Sequence, residues 1–223
     1  MELSYWISRW NKGKTGFHMA GGYPGLQTHW EKINLPPEPH VLVPLCGKTE
    51  DLIWLSKHAA KVTGVEISEK AVAGFFSENG LDPKISRFAG FEIYSNGNLE
   101  IWCGDFLKLP QHKLTPIDLV YDKAALVALP KTMRTAYCEY LKQLCSEKTA
   151  ILLHHFEYVQ REMPGPPFSV TGKEIEKHFS ADFKIKQLEK TPLDIPHFQK
   201  FAKRGLKSYL IEYLLLLLPD EKK

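Results

Sequence analysis

The stretch from His40 to Glu66 limits the possible folds more than any other part of the chain. A short apolar run, VLVPL, gives way to Cys46-Gly47-Lys48, then to a helical pattern over TEDLIWLSKH with Thr49 as its expected N-cap, then to a second apolar run, KVTGVEI, that closes on Glu66. Strand, turn, helix and strand in that order make one β-loop-α-β unit. The pattern repeats at once: Ser68 has the chemistry of an N-cap for EKAVAGFFSEN, which stops at Gly80. Parallel strands need long crossovers, which helices supply, so this alternation calls for an α/β fold with a largely parallel sheet and helices on both faces.

Further along, Asn96-Gly97 sits between two alternating apolar runs, the strongest short-range hairpin signal, so an antiparallel excursion is expected there. PIDLVYD then reads as a strand, Lys131 to Leu144 as a helix after Pro130, and TAILLHHF as a buried strand. Beyond the loop MPGPPF, GKEIEKHF reads as a helix, and FKIKQLEK and LKSYLIEYLLLLL as an antiparallel pair that needs no helix between them. The N-terminal residues differ in kind. Trp6, Arg9 and Trp10 fall at helical spacing, Gly13 breaks that helix, glycines and aromatics follow, and LPPEP forms a stiff linker before the first strand. Residues 1–39 are therefore expected to be a helical cap or lid on a single domain spanning 1–223.

With 43% hydrophobic and 25% charged residues in 223, the composition is that of an ordinary globular chain. Its 29 basic residues against 26 acidic give a net charge of only +3, which offers no electrostatic case for nucleic acid. Four cysteines without a CxxC pair argue against a zinc or redox motif and fit free thiols in a reducing cytosol. The start MELSYWISRW has no export pattern, and the apolar run Leu214 to Leu218 falls far short of the roughly 20 residues that cross a bilayer. A cytoplasmic monomer with neither membrane nor nucleic-acid partner is expected.

Open parallel sheets bind ligands at the carboxyl ends of their strands. Gly47 follows the first strand, and Glu66 ends the second 19 residues later, the place of a carboxylate that accepts from ribose hydroxyls. PLCGK lacks the G-x-G-x-x-G run a pyrophosphate needs. S-adenosylmethionine carries a ribose and an amino acid but no phosphate, so the spacing favours it over NAD. After the third strand Asp105 is placed to accept from an adenine amino group and Phe106 to lie against the ring. After the fourth, Asp122 and Lys123 put an acid and a base at the same cleft. Each position also has a plainer reading: a strand-to-helix turn for Gly47, a solvated strand end for Glu66, an exposed acid at a hairpin exit for Asp105, and a surface ion pair for Asp122 and Lys123. His154 and His155, adjacent in a strand, point to opposite faces and read as core or surface histidines. No metal site is expected.

Four motifs read together carry a resemblance: W-x-x-R-W-N-x-G-K-T-x-F-H at Trp6 to His18, P-L-C-G-K at Pro44 to Lys48, G-V-E-I-S at Gly64 to Ser68, and G-P-P-F at Gly165 to Phe168. Taken in order, they make the chain similar to the thiopurine S-methyltransferase family over nearly its whole length. The resemblance implies a class I methyltransferase: a seven-stranded, mostly parallel Rossmann-like sheet with an antiparallel C-terminal strand and an N-terminal helical lid. It implies S-adenosylmethionine as donor, S-adenosylhomocysteine as product, and an aromatic or heterocyclic thiol as acceptor. It places Trp6, Trp10, Phe17, Leu45, Gly47, Glu66, Asp105, Phe106 and Lys123 around the donor, and Phe17, Arg9 and Phe168 near the acceptor. Lys123 and Arg9 are expected to favour the thiolate electrostatically, with no dedicated base. Where the family commonly has Y-D-R, this chain has Tyr121-Asp122-Lys123, which exchanges a planar fork for a point charge. Methylation of selenium or tellurium compounds on the same scaffold, a catalytically silent donor-binding protein, and a nicotinamide-nucleotide protein are the alternatives.

Overall fold

The computed structural model describes residues 3–114, 116–194 and 199–220. It divides into two compact units, Met1–Tyr121 and Asp122–Lys223. In the first unit, helix α1 (Leu3–Asn11) and the short α2 (Pro24–His29) precede strand β1 (His40–Pro44), helix α3 (Asp51–Ser56), strand β2 (Lys61–Glu66) and helix α4 (Glu69–Glu78). Strands β3 (Lys84–Phe88), β4 (Phe91–Asn96), β5 (Leu99–Cys103) and β6 (Leu119–Lys123) follow, the last two residues of β6 belonging to the second unit. The strand order is β3-β4-β5-β2-β1-β6. β1 pairs in parallel with β2 and β6, and β2 with β5, so the expected parallel core is present.

Local chemistry explains the boundaries. The Ser68 hydroxyl accepts the Ala71 N–H at 3.4 Å and starts α4. Ala71, Val72, Phe75 and Phe76 bury one face of that helix, and Gly80 at φ +65° ends it. At α3 the cap position falls on Glu50 rather than on the expected Thr49, whose hydroxyl instead accepts the Asp51 N–H at 3.3 Å. The hairpin at Asn96-Gly97 joins β4 to β5, with Gly97 at φ +60°.

The second unit holds the short helix α5 (Ala125–Ala128), α6 (Lys131–Leu144), strand β7 (Ala150–Tyr158), α7 (Gly172–Phe179), strand β8 (Phe183–Pro192), the short α8 (Gln199–Ala202) and strand β9 (Leu210–Pro219). Its strands order as β7-β9-β8, both pairs antiparallel. β9 lies between the other two, so Leu214, Leu216 and Leu217 are buried, each worth roughly 1.5–3 kcal/mol. Helix α6 has the expected bounds and buries Arg134, Tyr137, Cys138, Leu141 and Leu144 along one stripe.

The structure has nine strands among the described residues where seven were expected. β4 is the first strand of the expected hairpin; β3, antiparallel to it and joined through Ala89 and Gly90 at φ +49° and +85°, is the addition. β3 was not foreseen because each of its residues is exposed, so no apolar alternation marks it. The short α8 falls where no helix was required.

Candidate active site

The carboxyl ends of β1, β2 and β5 converge in the first unit. After β1 the chain turns through Leu45 at φ +47° and Gly47 at φ +56°. A non-glycine residue in the left-handed region is uncommon and carries strain, the kind of backbone that binding loops retain. Glu66, at the end of β2 and 5% exposed, holds this turn in place. Its Oε2 accepts the Gly47 N–H at 2.9 Å and its Oε1 the Ser68 N–H at 2.8 Å. Burial pushes the Glu66 carboxyl up to about 7, while the amides of Ser68, Gly47 and Ile67 pull it back. The Gly104 N–H donates to the Glu66 carbonyl at 2.8 Å and brings the turn after β5 alongside.

The N-terminal aromatics lie on this cradle. Phe17 meets Trp6 and Trp10 edge to face, with centroids 5.3 Å apart in each pair. The buried Trp10 indole sits over Gly47, where an added Cβ would come within 3.2 Å of the ring. Phe17, Trp10, Gly47 and Glu66 thus form one continuous chain of contacts. Lys70 ties α1 down by donating to the Asn11 carbonyl at 3.1 Å. Beside it a groove of ≈ 280 Å³, lined by Ile7, Asn11, Ser68, Glu69, Lys70 and Ala73, runs between α1 and α4.

Asp51 anchors the far end of this segment, a role that its sequence position did not disclose. It is 2% exposed, and its oxygens accept the Tyr23 N–H at 2.7 Å and the hydroxyls of Tyr121 and Thr49, each at 3.0 Å. A Cβ on Gly22 would lie 2.5 Å from Asp51 Oδ1, so only glycine fits that approach. An acid in a first helical turn usually reads as a solvated dipole partner, which is why this one passed unnoticed.

Other expected residues have local duties. Asp105 accepts the Leu107 N–H at 3.1 Å and caps the turn Phe106–Lys108, and the Phe106 ring is buried. Arg9 lies half-buried in the last turn of α1, its carbonyl accepting the Lys14 N–H at 3.0 Å. Burial raises the Cys46 thiol well above its ordinary range and Cys103 to about 11, so both stay protonated at neutral pH.

In the second unit Asp122 is neither exposed nor a surface ion pair. Its Oδ1 accepts the N–H groups of Ala125 and Leu126, each at 3.0 Å, and its Oδ2 the Tyr137 hydroxyl at 2.7 Å. It caps α5, and burial pushes it up to about 6. Lys123, next along the strand, is half-buried and ends β6. Phe168 donates its N–H to Val127 O at 2.6 Å, and its ring lies against Gly165, where any side chain would collide with it, and 5.8 Å from the Arg134 guanidinium. Both histidines of β7 are buried, His155 stacked on Tyr213 at 4.7 Å.

The architecture has counterparts of known structure. An S-adenosylmethionine-dependent methyltransferase from Anabaena variabilis is 15% identical and superposes with a TM-score of 0.69 over 98% of this chain and 95% of that one. The fold is that of class I S-adenosylmethionine-dependent methyltransferases. At the level of sequence, thiopurine S-methyltransferases from Pseudomonas fluorescens (strain SBW25) and Vibrio parahaemolyticus are 43% and 42% identical. The matches cover 85% and 96% of this chain and 87% and 98% of those proteins, respectively. The family model for thiopurine S-methyltransferase matches residues 1–215, and the chain belongs to that family. No helix among the described residues is long and apolar enough to cross a membrane.

Proposed function

We propose that the protein transfers a methyl group from S-adenosylmethionine to an aromatic or heterocyclic thiol. The observation that carries this reading is the continuous contact from Phe17 and Trp10 through Gly47 to the buried Glu66. A glycine with no side chain beneath an indole, its amide fixed by a buried acid, suits a nucleoside carrying no phosphate. When bound, the donor supplies an electrophilic methyl on a sulfonium, and the reaction proposed is in-line displacement by a thiolate.

Glu66 and Gly47 hold the ribose in this scheme, and Leu45, Asp105 and Phe106 line the remainder. Trp6, Trp10 and Phe17 exclude water, so the reacting atoms are aligned in a dry site, where positioning alone lowers a barrier by several kcal/mol or more. Phe17 borders the acceptor. Arg9 favours its anionic form, so no side chain need remove a proton from a thiol already partly ionised near neutrality.

Mass spectrometry after mixing the protein with S-adenosylmethionine and 6-mercaptopurine tests this. S-adenosylhomocysteine and methylated product are expected, and both disappear with Glu66→Ala. Donor binding without product from any thiol would overturn the acceptor, and absence of donor binding would overturn the whole reading.

A further inference from the structure

Lys48 follows Gly47 directly and closes the turn after β1, and its side chain leaves that turn for helix α4. Its Nζ donates to both Oε1 and Oε2 of Glu78, the last residue of that helix, each at 2.6 Å. The Lys48 side chain is 18% exposed and that of Glu78 58%, so the lysine stem is covered while the carboxylate reaches water. Gly74, four residues before Glu78 and on the same helix face, leaves the path of the stem open. A Cβ there would come to 3.9 Å from Lys48 Cδ and 3.8 Å from Glu78 Oε1, so a longer side chain would push the pair aside.

The ion pair is half of a two-point attachment. The turn holds Leu45 and Gly47 in the left-handed region, and strained backbone persists only where its surroundings fix it. One anchor is Glu66, which accepts the Gly47 N–H on one oxygen and the N–H of Ser68, the cap of α4, on the other. The second anchor is Glu78, at the opposite end of the same helix, which accepts from Lys48. With one attachment the turn can rock about the Gly47 amide; the second removes that freedom. Water screens a pair whose carboxylate is this exposed, so it adds little to global stability and its effect lies in orientation.

We propose that Lys48, held by Glu78, is a positioning residue that acts through Gly47, keeping that amide aimed at Glu66 and the cradle formed before the methyl donor arrives. The inference rests on the S-adenosylmethionine reading above and adds the side chain that holds its cradle still. A direct role, with the ammonium binding the carboxylate of S-adenosylmethionine, is the competing account. Two of the three ammonium hydrogens are already directed at Glu78, which favours the positioning role. The two accounts also give opposite results with Glu78→Gln: a ligand freed from its counter-ion binds more tightly, whereas a positioning residue loses its hold.

A double-mutant cycle tests this, with S-adenosylhomocysteine affinity by calorimetry and hydrogen exchange of the Gly47 amide by NMR for the wild type, Glu78→Gln, Lys48→Met and the double variant. Each single substitution should weaken affinity and speed Gly47 exchange by about five- to tenfold, and the double variant should lose no more than either. Tm should stay within about 2 °C. In turnover of 6-mercaptopurine, KM for S-adenosylmethionine should rise by the same factor while the acceptor KM and kcat change less than about twofold. Tighter binding in Glu78→Gln, losses that multiply in the double variant, or unchanged Gly47 exchange would overturn the proposal. Should Lys48→Met fail to fold, Glu78→Gln, at an exposed side chain, carries the test alone through affinity and the Gly47 amide. A wild type that does not bind S-adenosylhomocysteine sinks the methyl-donor reading and this inference together. A wild type that binds it, with Gly47 exchange unmoved by Glu78→Gln, sinks only the inference.

Discussion

Glu66 and Asp122 are both acids at the ends of parallel strands, one in each unit, both buried and both pushed up in pKa by that burial. Their partners separate them. Glu66 binds amides from two different turns, those of Gly47 and Ser68, so its hydrogen bonds shape an opening between strand ends. Asp122 binds the first amides of its own helix and the hydroxyl of Tyr137, which together close the space around it. The same residue type in the same topological place ties two loop turns together in one case and caps a helix in the other. The partners' origin, more than the acid itself, decides which.

The sharpest way to break this comparison is to replace each acid by alanine. Glu66→Ala should weaken S-adenosylmethionine binding by about 100-fold or more in calorimetry. Asp122→Ala should leave donor affinity within about threefold but lower Tm by roughly 5–10 °C, since three buried donors lose their acceptor. A reversed pattern would mean that Asp122 is the ligand residue. Gly47→Ala comes next. Its φ of +56° and the Trp10 ring both oppose a side chain, so donor affinity should fall about tenfold and stability by about 1–2 kcal/mol.

Asp51→Ala should cost about 1–3 kcal/mol in denaturant unfolding and hasten proteolysis between Gly13 and Gly21, because the Tyr23 amide loses its buried acceptor. The smallest effect is one of pH. Glu66 titrates near 7 in the folded chain against an ordinary 4.5, so the unfolded chain releases that proton first. Its contribution to stability is therefore intact below pH 4.5, declines as pH rises from 4.5 to 7, and is flat above. The Tm advantage of Glu66→Gln over the wild type should grow across that window. Asp122, pushed up to about 6, and the two β7 histidines, pushed down to about 4, titrate alike in both proteins and cancel from the difference. A difference independent of pH would place the Glu66 charge in solvent.

The sequence disclosed what depends on neighbours along the chain. Ser68 as a cap, Gly80 as a stop, Asn96-Gly97 as a hairpin and the bounds of α6 all follow from short-range chemistry and agree with the structure. Glu66 was legible because a strand end and a fixed spacing locate it. Asp51 was not, since its acceptor role depends on Tyr23 and Tyr121, residues 28 and 70 positions away. The hydrogen bond between His154 and Glu212, 58 positions apart, exists only through the register of β7 on β9, which no local pattern states. Asp122 was misread because its capping partners lie just beyond the strand, where Ala124 at φ +63° turns the chain back toward it. β3 escaped because exposure on both faces erases the alternation that marks a strand.

The Asp51 anchor has one more consequence. By fixing Gly22 and Tyr23, it leaves only Lys12–Gly21 as a tether between the end of α1 and a rigid point on the scaffold. A helix on so short a leash, once lifted, stays at an effective concentration on the order of millimolar next to the surface it left. Re-engagement of Trp10 with Gly47 is then a first-order event, indifferent to protein concentration, and the rate of that step alone sets how long an opening lasts.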